Sequence, residues 1–108
     1  MIVETRDVDG TTVVLLSGDV DLQHSPRLRK TLMELMFDRR PVVIDMSAVS
    51  YIDSSGIASL VEAYQMARRN SGRFTLASVS PPALRVLQLA RLDKVFTIAP
   101  TVEAAILP

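Results

Sequence analysis

The hydrophobic positions of this chain follow two different periods. Residues 2 to 7 and 11 to 17, the second run reading TTVVLLS, are rich in β-branched residues and are separated by Asp9-Gly10. That dipeptide supplies the positive φ values of a tight hairpin turn, so the pattern predicts two antiparallel strands. Residues 41 to 46, PVVIDM, form a continuous apolar run that stops at Asp45, as expected of a strand covered on both faces of a parallel sheet. RFTLAS and the shorter VFTI share this character. Elsewhere the apolar residues recur at three and four. Ser25-Pro26 reads as an N-cap with proline at the first helical position, followed by Leu28, Leu32, Leu35 and Met36 over a helix of roughly residues 26 to 37. Ser80-Pro81 opens a further helix that runs to about Arg91, and Thr101 precedes a short terminal helix ending near Leu107.

With one more helix after Asp53, the order is β-β-α-β-α-β-α-β-α. Strands that alternate with helices are joined by right-handed crossovers and lie parallel, so the first hairpin adds an antiparallel edge. A chain of 108 residues has the size of one ordinary domain. The expected architecture is therefore a single α/β domain over residues 1 to 108, with a mixed, mostly parallel sheet of about five strands and about four helices. In such sheets the loops after the carboxyl ends of the strands form the functional edge. Asp19, Asp45 and the DSSG segment belong to it.

That segment, in YIDSSGIASL, offers two competing helix caps, Asp53 and Ser54. Hydrophobic spacing separates them. With Asp53 as cap, Ile52 precedes it and Ile57 occupies the fourth helical position, the apolar pair of a hydrophobic staple; with Ser54 as cap the pair becomes Asp53 and Ala58. Asp53 is thus assigned as cap and Ser54 as the first helical residue, with Ile57, Leu60, Val61, Tyr64 and Ala67 on the buried face. Arg68, Arg69 and Gly72 suit the other end. The cap accounts for Asp53 but not for two serines in succession. At the first position the Ser54 hydroxyl points outward beside unpaired backbone amides, a favourable setting for a phosphate, although serine is also common in first turns for reasons of propensity.

Composition removes several classes of function. Lys and Arg total 12, as do Asp and Glu, so neither a nucleic acid backbone nor an anionic membrane is an implied partner. The absence of cysteine excludes disulfides and thiol chemistry and suits a reducing compartment. No basic and apolar leader opens the chain and no run approaches spanning length, so a cytoplasmic protein is expected. The four glycines form no phosphate-binding loop, and no intrinsic turnover or bound cofactor is expected. Asp19 and Asp21 lack the further ligands of a metal site and read as solvated loop acids. His24, the one histidine, reads as an exposed loop residue. Asp45 reads as an Asx turn to Ser47 rather than a phospho-acceptor. A serine hydrolase would need glycine where Ile52 stands and a base that the chain does not supply.

The stretch VVIDMSAVSYIDSSGIASLVEAY resembles the signature of STAS domains, particularly bacterial anti-sigma factor antagonists. LLSGDVDLQHSPRLRKTL resembles the family's second strand and first helix, and FTLASVSPPALRVLQLARLDKVFTI its fourth strand, third helix and fifth strand. The resemblance implies that Ser54 is phosphorylated by an anti-sigma factor that is itself a serine kinase using ATP. It implies further that the unmodified protein sequesters this kinase and frees the sigma factor, and that a phosphatase restores the unmodified form. The partner-binding residues it implies are Asp21, Asp53, Ser54, Ser55 and Gly56, with no cofactor. The alternative it leaves is a non-switching STAS subunit of a lipid-transport ABC system, against which the intact acceptor serine argues.

Overall fold

The computed structural model describes residues 1 to 106. Its elements follow the predicted order: β1 (Ile2–Val8), β2 (Thr11–Val20), α1 (Ser25–Phe37), β3 (Val42–Ile52), α2 (Ser54–Arg69), β4 (Phe74–Ala77), α3 (Pro81–Leu89), β5 (Thr97–Ala99) and α4 (Val102–Ile106). The five strands form one sheet in the order β1-β2-β3-β4-β5, with β1 antiparallel to β2 and every other pair parallel. Asp9 and Gly10 turn the hairpin at φ 53° and 87°, the left-handed values such a turn demands.

Helices cover the two faces of the sheet unequally. On one face Val14, Leu16, Ile44, Met46 and Leu76 are fully buried together with Leu28 and Leu32 of α1, Leu60 of α2 and Leu87 of α3. On the other, Val13, Val43 and Ala77 form a smaller buried group with Val102 of α4. The PVVIDM strand is therefore apolar on both sides at Val42 to Ile44, and opens outward at Asp45.

Two strands run further than their patterns predict. β2 continues past Ser17 to Val20, and β3 past Met46 to Ile52. The reason lies in their mutual register, which shifts between Leu15 and Ser17 and again between Gly18 and Asp19. Each shift inserts one extra residue on the β3 side, a bulge that breaks the alternation of faces. Beyond Met46 the buried residues are Val49 and Ile52, spaced by three instead of two. Asp45 consequently lies inside β3, paired in register with Leu15 and Ala77, and not at the functional edge. Its Asx turn is present: Oδ1 accepts the Ser47 N–H at 3.0 Å and the Ser47 hydroxyl at 2.7 Å.

The helix starts and ends also depart from expectation in places. The N-cap of α1 is His24, without a side-chain cap bond, and Ser25 is already helical and buried. The preceding turn explains this, because the Asp21 carbonyl accepts the N–H groups of both His24 and Ser25, at 3.0 and 2.8 Å. Ser80 does cap α3, accepting the Ala83 N–H at 3.4 Å while its hydroxyl donates to the Val49 carbonyl at 2.7 Å. That helix ends at Leu89, and Arg91 takes a left-handed φ of 59°. β5 begins at Thr97, two residues later than VFTI suggests. The expected end of α4 at Leu107 lies outside the described residues.

Candidate functional site

Asp53 has extended backbone (φ −106°, ψ −174°) and begins α2. Its Oδ1 accepts the N–H groups of Ser55 and Gly56 at 2.9 and 3.1 Å and the Ser55 hydroxyl at 2.6 Å. Its Oδ2 accepts the Leu22 N–H at 3.1 Å, and its own N–H donates to the Val20 carbonyl at 3.2 Å. One carboxylate thereby caps α2 and ties it to the loop between β2 and α1. The Ser55 hydroxyl holds the Asp53 carboxyl below the usual carboxylate range; burial opposes this, and the N–H groups of Gly56, Ser55 and Leu22 reinforce it. The staple partners Ile52 and Ile57 both belong to the main buried cluster, in accord with the spacing that chose Asp53 over Ser54.

The two serines have different surroundings. Ser55 is half-buried and its hydroxyl is committed to Asp53. Ser54 is exposed as the first helical residue, and among the described residues its hydroxyl makes no hydrogen bond. Gly56 is buried: a Cβ there would stand 2.8 Å from Ile52 Cγ1 and Val20 Cγ1, and 2.9 Å from the Val20 carbonyl oxygen. The glycine lets the helix start press onto the ends of β2 and β3. It supports the site from below and offers no surface of its own.

Asp21 adjoins this arrangement through Leu22. Its Oδ1 accepts the His24 N–H at 3.2 Å and lies 2.7 Å from His24 Nδ1. His24 is therefore not the freely exposed loop residue that its position suggests, but half-buried and held by Asp21. Leu22, between the two aspartates, is 73% exposed although its backbone is fixed on Asp53. Tyr51, opposite Asp19 in the strand register, is 51% exposed. Neither apolar group stands out by sequence; the available signal is a lone leucine in the polar loop GDVDLQHS. Beyond Ser55, a shallow groove of about 300 Å³ between α1 and α2 is lined by Ser25, Ala58, Ser59 and the two-pronged Arg29–Glu62 ion pair. Among the described residues no group of three or more acidic, histidine or cysteine side chains is placed to hold a metal, and no helix is long and apolar enough to cross a membrane.

The family model of the STAS domain matches residues 3–105. The anti-sigma-B factor antagonist of Bacillus subtilis is 24% identical over 104 residues, covering 96% of this chain and 95% of that protein. The crystal structure of an anti-sigma factor antagonist from Mycobacterium paratuberculosis superposes with a TM-score of 0.87 at 32% identity, over 97% of this chain and 90% of that one. The Bacillus cell fate determinant SpoIIAA in its phosphorylated form has the same fold, with a TM-score of 0.76 at 23% identity over 97% of this chain and 96% of its own. The mixed sheet with its antiparallel first strand, the capped α2 start and a family match that reaches from β1 into α4 lead to one assignment: this chain belongs to the STAS domain family.

Proposed function

We propose that this protein is an anti-sigma factor antagonist, switched by phosphorylation of Ser54. The observation that carries the reading is the contrast between neighbouring hydroxyls: Ser55 is engaged by the cap, whereas Ser54 is exposed and uncommitted at the helix N-terminus. Relatives named as anti-sigma factor antagonists support the partner class. The kinase is the anti-sigma factor, a phosphatase reverses its action, and the protein works in the cytoplasm by binding, without a cofactor or turnover of its own. Asp21, Asp53, Ser54 and Ser55 lie on the docking surface, with Leu22 as an apolar contact and Gly56 beneath them.

A phosphate on Ser54 adds about −1.5 to −2 charge at pH 7. The helix amides and dipole accommodate it, so the fold hardly changes. A partner surface shaped for a neutral hydroxyl instead meets a bulky anion beside the Asp53 carboxylate, with repulsion and desolvation both opposing the complex. Incubation with the cognate kinase and ATP, followed by mass spectrometry and binding measurements, tests this. Ser54→Ala should bind the kinase and resist switching, Ser54→Asp should fold but bind poorly, and Ser55→Ala should still be phosphorylated. Phosphate on Ser55 would move the site by one residue. No phosphorylation by any kinase encoded nearby would favour the non-switching transport subunit, and ester or ATP hydrolysis lost in Ser54→Ala would favour an enzyme.

A further inference from the structure

The two edges of the sheet are protected to different degrees. β5 is an edge of only three residues, too short to template much pairing, whereas β1 offers seven residues, free of proline and in unbroken register with β2 from Ile2↔Ser17 to Val8↔Thr11. The direction of its free hydrogen-bonding groups follows from the hairpin. Val8 and Thr11 flank a two-residue turn and so form a hydrogen-bonded pair. The Thr12 N–H points the other way, donating to the Pro41 carbonyl at 2.9 Å. By alternation Ile2, Glu4, Arg6 and Val8 bond to β2, and Val3, Thr5 and Asp7 turn their N–H and C=O groups outward.

We infer that a second copy of this chain pairs with the edge of β1, antiparallel and centred on Thr5, joining the two sheets into one. In this register the outward-facing residues meet one another: Thr5 opposite Thr5, and Val3 opposite Asp7. Glu4 then faces Arg6 of the second copy in a pair without backbone bonds, where side chains approach most closely, and the two-fold axis repeats the contact. Among the described residues neither Glu4 nor Arg6 has an ion-pair partner, while Asp7 is already neutralised by Arg40 at 2.7 Å. Ile2, 57% exposed, comes to lie opposite Val8 on the same face as Glu4 and Arg6. Sliding the pairing by one hydrogen-bonded step in either direction puts Glu4 opposite Glu4, or Arg6 opposite Arg6. The charges that usually protect an edge strand are here arranged to select one register and one partner, the chain itself.

Sedimentation equilibrium over a range of protein concentrations tests the pairing. The wild type should show a reversible dimer that weakens with salt. Arg6→Glu, which sets like charges opposite each other, should raise the dimer Kd about tenfold or more, and the exchange Glu4→Arg with Arg6→Glu should restore it. Thr5→Pro should abolish the dimer yet leave the circular dichroism melt cooperative, because the Thr5 N–H takes no part in the β1–β2 ladder. A wild type that stays monomeric at about millimolar concentration overturns the inference. So does a dimer indifferent to Thr5→Pro, or an exchange variant as weak as Arg6→Glu alone.

Discussion

Helices α1 and α2 pack together on one face of the sheet, and each follows the end of a strand, yet they begin by different means. α1 has proline in its first turn and no side-chain cap; the carbonyl of Asp21, in the turn before it, receives the leading N–H groups. Proline presets φ and removes one donor that would otherwise need a partner, so the helix can start without a cap side chain. α2 has no proline and relies on the Asp53 carboxylate for two of its amides. The two starts also dispose of their surplus polarity differently. At α1 the aspartate commits its side chain to His24, whereas at α2 the cap consumes one serine hydroxyl and leaves the adjacent one facing solvent.

Away from their starts both helices are held by fully buried leucines, and the largest expected effect checks that they are held alike. Leu32→Ala and Leu60→Ala, at two fully buried positions in the middle of α1 and α2, should each lose about 2–5 kcal/mol in urea unfolding. A loss near zero at either would mean that its helix is not packed as described. Gly56→Ala should cost about 1–3 kcal/mol, since its new methyl meets both a strand side chain and the Val20 carbonyl. Neutrality in the same assay would show that the helix start has room to shift. Asp53→Ala should lose about 1 kcal/mol, and Ser25→Ala, which removes no cap hydrogen bond from α1, should lose less. Equal losses would erase the distinction between the two starts.

The smallest effect is one of pH. The folded pKa of Asp53 lies below its unfolded value, so its stabilisation is fully present above the unfolded value and disappears as pH falls through the folded one. Asp53→Asn keeps a neutral cap oxygen. The gap in stability between wild type and Asp53→Asn should therefore hold near neutrality and close as pH falls below about 4. A gap independent of pH would assign it to geometry, not charge.

The α2 start is legible in the sequence because its determinants are neighbours in the chain: Ile52, Asp53 and Ile57 choose the cap among themselves. The α1 start is not. Ser25-Pro26 has the local form of a cap, but the carbonyl of Asp21 claims the Ser25 N–H, and the serine is drawn into the helix and buried. The resemblance places Gly56 in the partner surface, and nothing in the chain's order reveals that Val20 will sit against it and leave it buried. The Asp21–His24 contact is hidden for a similar reason, because two polar loop residues three apart carry no periodic signal. The succession of elements and the direction of the strands follow from the pattern; strand length does not, because the pattern that traces β3 fails at its first bulge.

Those two bulges limit how this segment tolerates insertions and deletions. Between Leu15 and Val20 of β2, the paired stretch of β3 from Asp45 to Ile52 is longer by two residues. The slack is what brings Ile52 inward and delivers Asp53 to Val20 and Leu22. Removing Ser47 or Ala48 would take out the first bulge and restore regular alternation, so Val49 and Ile52 would still face inward. The strand would be one residue shorter, however, and Asp53 would be drawn back from Val20 and Leu22. In this stretch the frame of the strand is held more strictly than its vocabulary: Ala48 and Ser50 are exposed and open to exchange, while the number of residues is not.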